Sequence, residues 1–149
     1  MTNPDLIAFE PPHLEELRQF VQEGMRDSVL RLGDLSVFGE AVRAAGHVWS
    51  AVVAGRVLAV GGVVDLGGGH GEAWLITSEA AASHKFWLVR IVRGLVGQLL
   101  AIGAYTKITA VVREDFMRGQ RFAAHLGFSA TWAGDIGGVH VRRYERCAA

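Results

Sequence analysis

The apolar run from Val57 to Leu66 constrains the fold more than any other feature of the sequence. Asp65 is its only charged residue, and the segments Gly55-Arg56 and Gly67–Gly71 bound it with turn-forming residues. A strand with one solvated face alternates apolar and polar residues, and this run does not alternate. The sequence therefore predicts a strand that is buried on both faces, inside a sheet that helices cover.

The order of the remaining elements extends this prediction to a whole domain. Apolar periodicity predicts six further strands and four helices. The strands are expected at Leu6–Phe9, His47–Ala54, Glu72–Thr77, Lys107–Val112, Phe128–Ala133 and Val139–Arg146, and the helices after Pro12, at Leu35–Ala45, at Ser83–Gly103 and after Asp115. Residues 23–34 suggest a loop with one helical turn. The strand–helix–strand unit over residues 72–112 implies that its two strands pair in parallel, whereas strands joined by hairpins pair antiparallel.

We therefore expect a single domain over residues 1–149, of the α/β class. Its sheet would be mixed, with α+β character, and would hold about six or seven strands with helices on both faces. Asp115 is placed to cap the last helix, and Gly127 to end it. The long helix is expected to bury one apolar face, made of Leu88, Ile91, Val92, Leu95, Leu99 and Ile102.

Charge and composition exclude several classes of protein. A formal net charge of zero gives no electrostatic case for binding nucleic acid or an anionic membrane. Arg90 and Arg93 interrupt the longest apolar stretch, Phe86–Ala104, so it is expected to be a core helix and not a membrane span. The residues from Met1 to Asp5 show no secretory signal. The single cysteine, Cys147, has no intramolecular disulfide partner.

Three local segments carry a resemblance to known proteins. The order of elements, with Arg121-Phe-Ala-Ala-His-Leu-Gly-Phe128 at a helix-to-strand junction, resembles the GNAT N-acetyltransferase fold. Leu58-Ala-Val-Gly-Gly62 and Glu72-Ala-Trp-Leu-Ile-Thr-Ser78 resemble small GNAT-like proteins of bacteriophages and prophages. That group includes a minor internal virion protein of short-tailed coliphages.

The narrower resemblance implies a place and a set of partners. The chain would act in the host bacterial cytoplasm or in the phage virion, and it would not be secreted by a signal of its own. Its partner would be a protein of the phage particle or of the host, and self-association into a homo-oligomer stays open. Neither nucleic acid nor a membrane is expected as a partner.

The expected acetyl-CoA site departs from the family pattern. GNAT enzymes carry roughly Arg/Gln-x-x-Gly-x-Gly/Ala after the fourth strand, because glycine lets backbone N–H groups approach the pyrophosphate. The segment Glu79–Trp87 has no glycine, and Lys85 and Trp87 fall where the glycines would lie. Acetyl-CoA is thus a possible cofactor, but the chain lacks the consensus motif that binds it in GNAT enzymes. Candidate cofactor contacts are the backbone of Ile76 and Thr77 beside pantetheine, Ser83 as a helix cap, and His84 and Lys85 as attractors of an anion.

The resemblance also suggests catalytic residues. Glu72 opens the strand on which GNAT enzymes often hold a general base, and His70 in the preceding loop is of a residue type that often assists in proton transfer. Both can equally be solvated side chains beside a glycine turn. The tyrosine that many GNAT enzymes use as general acid is replaced by Ala123, and Phe122 beside it has no hydroxyl.

Three further patterns have a functional and a structural interpretation. Lys85, Arg90 and Arg93 form a cationic cluster on the long helix, or a solvated stripe. Gly94, Gly97 and Ala101 imply a close approach to another backbone, within the domain or across a subunit interface. His140, Arg142, Tyr144 and Arg146 alternate along the last strand and line either an interface or an exposed sheet face. No metal-ligand spacing occurs among the histidines and Cys147.

Three functions remain open. In the first, the chain is a phage-type GNAT-fold protein with a degenerate acetyl-CoA motif and a structural, morphogenetic or interaction role. Alternatively, it is an acetyl-CoA-dependent N-acyltransferase that acts on an amine of a small molecule or protein. As a further alternative, it modifies or inhibits host machinery.

Overall fold

A computed structural model describes residues 3–149 and shows one seven-stranded mixed sheet. Residues 1 and 2 lie outside the described part of the chain. They begin the N-terminal segment, Met1 to Asp5, in which the sequence shows no secretory signal. The strand order is β1-β2-β3-β4-β5-β7-β6. The strands are β1 (Asp5–Ala8), β2 (Gly46–Val53), β3 (Arg56–Gly67), β4 (His70–Thr77), β5 (Lys107–Arg113), β6 (Ser129–Ile136) and β7 (Val139–Cys147). The predicted α/β class and mixed sheet are confirmed.

Five α-helices and two 3₁₀ segments connect the strands of the described chain. The helices are α1 (Pro12–Arg18), α2 (Arg26–Leu30), α3 (Leu35–Ala45), α4 (Lys85–Ala101) and α5 (Met117–His125), and the 3₁₀ segments are Glu23–Met25 and Glu79–His84. The region 23–34 is thus more helical than its sequence suggested. Arg31 pairs with Asp27 one turn earlier, at 3.1 Å, which supports the short α2 locally.

Contacts divide the chain into two compact units. The first comprises the described residues up to Val64 together with Trp74–Lys85, and the second comprises Asp65–Ala73 and Phe86–Ala149. An apolar core fills the first unit; its buried members are Phe9, Leu14, Leu17, Val21, Val29, Leu35, Val42, Val57, Val60 and Ile76. The second unit buries, among others, Leu88, Val92, Val96, Leu100, Ile108, Ala123, Phe128 and Tyr144.

Strand β3 confirms the prediction from its apolar run, because Val57–Val63 is buried without interruption. Its packing against β2 depends on a glycine. Gly62 lies opposite Val48, and a Cβ at Gly62 would collide with the backbone carbonyl of His47. A side chain at this position would therefore push the two strands apart.

The turn before β3 lies one residue earlier than predicted. Its central residues are Ala54 and Gly55, with φ values of 50° and 77°, and Arg56 already belongs to β3. Two consecutive residues with positive φ match the right-handed twist of a tight antiparallel hairpin. Gly68 and Gly69, with φ values of 62° and 79°, form the same kind of turn between β3 and β4.

The long helix differs from its prediction in start and in phase. It begins at Lys85, because the segment before it winds as a 3₁₀ helix. Its buried residues are Leu88, Val92, Val96 and Leu100, whereas Ile102 is 68% exposed and lies beyond the helix. The buried residues are spaced four apart along the helix. They therefore form a narrower face, rotated relative to the apolar face that the sequence predicted.

The last helix is capped differently from the prediction. Asp115 pairs with Arg113 at 3.2 Å, and Phe116 takes the N-cap position without a side-chain hydrogen bond. The predicted end is confirmed. Gly127 has a φ of 89°, and the Gly127 and Phe128 N–H groups donate to the Ala124 and Ala123 carbonyls, as in a Schellman motif.

Within residues 3–149, no helix has the length and apolar content that crossing a membrane requires.

Candidate functional site

Strand β4 extends beyond its parallel pairing with β5. The pairing runs from His70 opposite Lys107 to Ala73 opposite Ala110, while β4 continues to Thr77. The end of β4 belongs to the first unit, and its beginning belongs to the second. The candidate cofactor contacts and the candidate catalytic residues therefore lie in different units, and each set has its own surroundings.

The backbone of Thr77 is bonded to the segment that follows α1. Its carbonyl accepts from the Gln22 N–H at 2.9 Å, and its N–H donates to the Met25 sulfur at 3.3 Å. The neighbouring residue, Ser78, forms an isolated antiparallel bridge with Val21. Of the groups that the resemblance assigned to a pantetheine arm, the Thr77 N–H and carbonyl thus have partners within the chain.

The Thr77 side chain repeats this pattern. Its hydroxyl lies 3.3 Å from the Gln22 Oε1 and 3.5 Å from the Met25 sulfur. Thr77 is only 5% exposed, and Ile76 beside it is 8% exposed. Met25 and Gln22 are therefore contacts of the candidate cofactor strand that the sequence did not reveal, because no spacing connects them to β4.

The segment after β4 places the remaining cofactor candidates on a 3₁₀ helix. Ser83 and His84 lie in its last turn, and Lys85 is the first residue of α4. Ser83 is not the predicted helix cap, because it lies inside the 3₁₀ turn. The N-cap position belongs to Ser78, whose buried hydroxyl has no hydrogen-bond partner among residues 3–149. This hydroxyl can accept or donate one further hydrogen bond.

The two catalytic candidates lie on one face of β4, two residues apart. The His70 Nε2 lies 2.8 Å from the Thr109 Oγ1, and Glu72 lies opposite Thr109 in the parallel register. Adjacent strands are about 4.8 Å apart, so the three side chains are neighbours. Thr109 is 4% exposed and fixes the orientation of the imidazole. The structure thus brings His70 and Glu72 together and adds Thr109, which only the strand register could identify.

The alternating side chains of β7 are bonded within the chain. Arg142 contacts Glu114 at 3.0 Å, and this hydrogen bond raises the pKa of Arg142 above its usual value. The buried Tyr144 hydroxyl donates to Gln120 at 3.1 Å. One terminal nitrogen of Arg146 donates to the carbonyls of Arg93 and Leu126. The Tyr144 and Arg146 contacts hold α5 and α4 on the sheet, while Arg142 is bonded to the segment between β5 and α5.

No group of three or more His, Cys, Asp or Glu side chains in the described part of the chain could hold a metal ion.

Comparisons with known proteins match the structure and not the sequence. No protein-family model and no curated protein sequence matches the chain. The structure is similar to RimL, a ribosomal L7/L12 alpha-N-protein acetyltransferase in complex with coenzyme A. The TM-score is 0.74 at 12% identity, over 99% of this chain and 95% of that chain.

Two further structures agree with this similarity. An acetyltransferase of the GNAT family from Bacillus anthracis gives a TM-score of 0.71 at 11% identity, over 99% of both chains. The protein yncA from Salmonella typhimurium, with its cofactor acetyl-CoA, gives 0.69 at 14% identity, over 98% of this chain and 94% of that chain. Nothing in these comparisons supports a phage relationship or a virion role. The element order, the mixed sheet and these whole-chain similarities show that the protein has the GNAT acetyltransferase fold.

Proposed function

We propose that this protein is an acetyl-CoA-dependent N-acyltransferase that acts on an amine of a small molecule or protein. The observation that carries the proposal is the whole-chain similarity to acetyltransferases, including structures that hold coenzyme A or acetyl-CoA. The structural or morphogenetic role that the phage resemblance implied has no comparable support.

The end of β4 fits the amide-rich part of the cofactor. Thr77 presents an edge N–H whose present partner is a thioether, and thioethers are weak acceptors. The unpartnered Ser78 hydroxyl lies next to it. An extended arm that brings amide groups can hydrogen-bond to such an edge as an added strand does. The bound cofactor would supply an acyl group activated as a thioester.

The phosphate end fits less closely, because the segment Glu79–His84 has no glycine. Lys85 follows it directly as the first residue of α4. A lysine ammonium binds phosphate as a point charge, whereas backbone N–H groups need the close approach that glycine permits. We therefore assign phosphate binding chiefly to the Lys85 side chain.

We assign proton removal from the amine to His70 and Glu72, which lie in the second unit. His70 is held at one ring nitrogen by Thr109, which leaves the other nitrogen to exchange a proton. Glu72 lies beside this pair in register with Thr109. No tyrosine occupies the position of the usual general acid, where Ala123 is buried, so the leaving thiolate would take its proton from water.

Calorimetric titration of the protein with acetyl-CoA tests this proposal, with Lys85→Ala as the variant. We expect saturable binding in the wild type. We expect the variant to bind about tenfold more weakly, because one charge-assisted phosphate contact is lost. Lys107→Ala removes the only other lysine of the chain and serves as the matched control, with unchanged affinity expected.

The outcomes separate the functions. If Lys85→Ala weakens binding of acetyl-CoA and Lys107→Ala does not, the result supports the acyltransferase proposal, and the next step is to identify the amine acceptor. Absence of heat and of any thermal shift at millimolar acetyl-CoA would contradict the proposal and favour a role that needs no cofactor.

A further inference from the structure

The two compact units carry opposite net charges, which the neutral total conceals. The second unit contains nine Arg and Lys residues against six Asp and Glu residues, and the described part of the first unit contains six against nine. Neither α4 nor α5 contains an acidic residue. The positive charge of these two helices is exposed on four side chains, which we call the helix arginines: Arg90, Arg93, Arg118 and Arg121.

The helix arginines differ from the arginines of the first unit in their partners. Arg18, Arg31 and Arg43 each pair with a carboxylate three or four residues earlier, at 3.1 Å, 3.1 Å and 2.7 Å. Within residues 3–149, none of the helix arginines takes part in an ion pair. Cations of the same sign one turn apart on a helix repel each other, so an anion bound between them relieves this repulsion.

The Arg146 side chain joins the two helices that carry these arginines. One of its terminal nitrogens donates to the carbonyls of Arg93 in α4 and Leu126 in α5, at 3.2 Å and 3.1 Å. A Cβ at Gly97, one turn after Arg93, would also contact Arg146. The flank of α4 that carries Arg93 therefore lies beside α5, and both helices present their arginines from the same face of the sheet.

Exposed apolar side chains accompany the arginines on both helices. Phe86 lies one turn before Arg90 and is 81% exposed, and Met117 directly precedes Arg118 and is 56% exposed. Aromatic residues, methionine and arginine are enriched in interfaces between proteins, whereas Asp and Glu are depleted. The composition of this surface therefore suits a protein partner.

Gly94 is a further feature of α4 that its own chain does not require. It is exposed and lies next to Arg93, and a Cβ at this position would meet nothing within 4 Å among the described residues. Glycine weakens a helix relative to alanine. Without a side chain at Gly94, the backbone of a partner can approach α4 closely beside the arginines.

We propose that the helix arginines, together with Phe86 and Gly94, form a docking surface for an acidic segment of another protein. The guanidinium group of arginine binds a carboxylate through two parallel hydrogen bonds. A nucleic acid suits the chain less well, because a net charge of zero gives no long-range attraction to a polyanion. The inference goes beyond the acyltransferase proposal and does not depend on it, because it uses neither the candidate cofactor residues nor His70 and Glu72.

Fluorescence anisotropy with a labelled peptide rich in Glu and Leu tests this surface. We expect saturable binding to the wild type and none by a peptide with Gln in place of Glu. The double variant Arg90→Gln/Arg93→Gln should bind the acidic peptide about tenfold more weakly, because two ion pairs are lost. Arg18→Gln/Arg43→Gln removes the same charge from exposed positions of the first unit and should leave the affinity unchanged.

A Gly94→Gln variant supplies a measurement that does not depend on charge. Glutamine favours a helix more than glycine does, so this variant does not fail by losing α4. We expect it to bind the acidic peptide about fivefold more weakly, because its side chain fills the surface that the partner approaches. Ala44→Gln adds the same side chain at an exposed position of α3 and should change nothing.

Several results would overturn the inference. No binding of the acidic peptide at millimolar concentration, or an equal loss in both double variants, would show that the helix arginines form no docking surface. Tighter binding of a single-stranded oligonucleotide of equal charge would identify nucleic acid as the partner. Displacement of the peptide by coenzyme A would assign the arginines to the cofactor. Self-association that Arg90→Gln/Arg93→Gln abolishes, measured by sedimentation, would make a second copy the occupant.

Discussion

Cys147 shows how one neighbouring carboxylate changes the chemistry of a side chain. Its thiol donates to the Glu145 Oε1 at 3.2 Å. This hydrogen bond is the largest cause that raises the pKa of Cys147, since it stabilises the protonated thiol, and Lys107 acts weakly in the opposite direction. Cys147 is exposed yet less nucleophilic than its exposure suggests, because the thiolate is the reactive form.

We expect Glu145→Gln to speed alkylation of Cys147. The substitution removes the carboxylate, lowers the pKa of the thiol and raises the thiolate fraction at pH 8. The rate of reaction with iodoacetamide, followed by mass spectrometry, measures this effect. Glu40→Gln, which removes a carboxylate paired with Arg43, should leave the rate unchanged. Equal rates in both variants would show that Glu145 does not control the thiol.

At the scale of elements, the surroundings of helix α4 require a glycine at only one of its two glycine positions. A Cβ at Gly97 would lie 3.1 Å from a terminal nitrogen of Arg146, whereas a Cβ at Gly94 would meet nothing within 4 Å. The Arg146 side chain cannot shift freely, because its other terminal nitrogen donates to the Arg93 and Leu126 carbonyls. Gly97 therefore makes room for a side chain that joins α4, α5 and β7.

These surroundings predict opposite results for two similar substitutions. Gly94→Ala should stabilise the protein by about 1 kcal/mol, the helix-propensity difference between the two residues. Gly97→Ala should give a free energy of unfolding at least about 1 kcal/mol lower than Gly94→Ala, because Arg146 must move and loses hydrogen bonds. Urea denaturation of both variants measures the difference. Equal stabilisation would mean that Arg146 adjusts without loss.

The same scale shows which elements could be predicted from local sequence. Helix α3 spans Leu35–Ala45 as predicted, because Asp34 caps it through the Ser36 and Val37 N–H groups and its apolar residues keep one face. The start of α4 could not be predicted this way. The 3₁₀ helix before it depends on two hydrogen bonds to residues that are distant in sequence. The Ser78 N–H donates to the Leu58 carbonyl, and the Glu79 N–H donates to the Phe20 carbonyl.

For the whole molecule, the proposed function predicts stabilisation by the cofactor. A ligand that binds only the folded state at one hundred times its dissociation constant adds about 2.7 kcal/mol of stability. For a chain of this length, that corresponds to a rise in melting temperature of about 5 °C or more. Differential scanning calorimetry with and without acetyl-CoA measures the rise.

Lys85→Ala provides the comparison for this experiment. At the same acetyl-CoA concentration it should show a smaller rise than the wild type, because its affinity is lower. An identical rise in the two proteins would remove Lys85 from the cofactor site, and no rise in either would contradict cofactor binding altogether.

The sequence by itself determined the fold class and most of the elements. Its apolar periodicity, its glycine turns and the uninterrupted run at Val57–Val63 are local signals, and each acts over a few residues whatever the rest of the chain does. These signals sufficed to predict the mixed sheet, the hairpins and the end of α5 at Gly127.

Only the tertiary structure decided which side chains meet. Met25 reaches Thr77 and Thr109 reaches His70 through contacts between residues that are 52 and 39 positions apart. The phase of the buried face of α4 also depends on what packs against it, since several faces of an apolar helix can be buried equally well. No local pattern records such partners, because strand register and packing select them after the elements have formed.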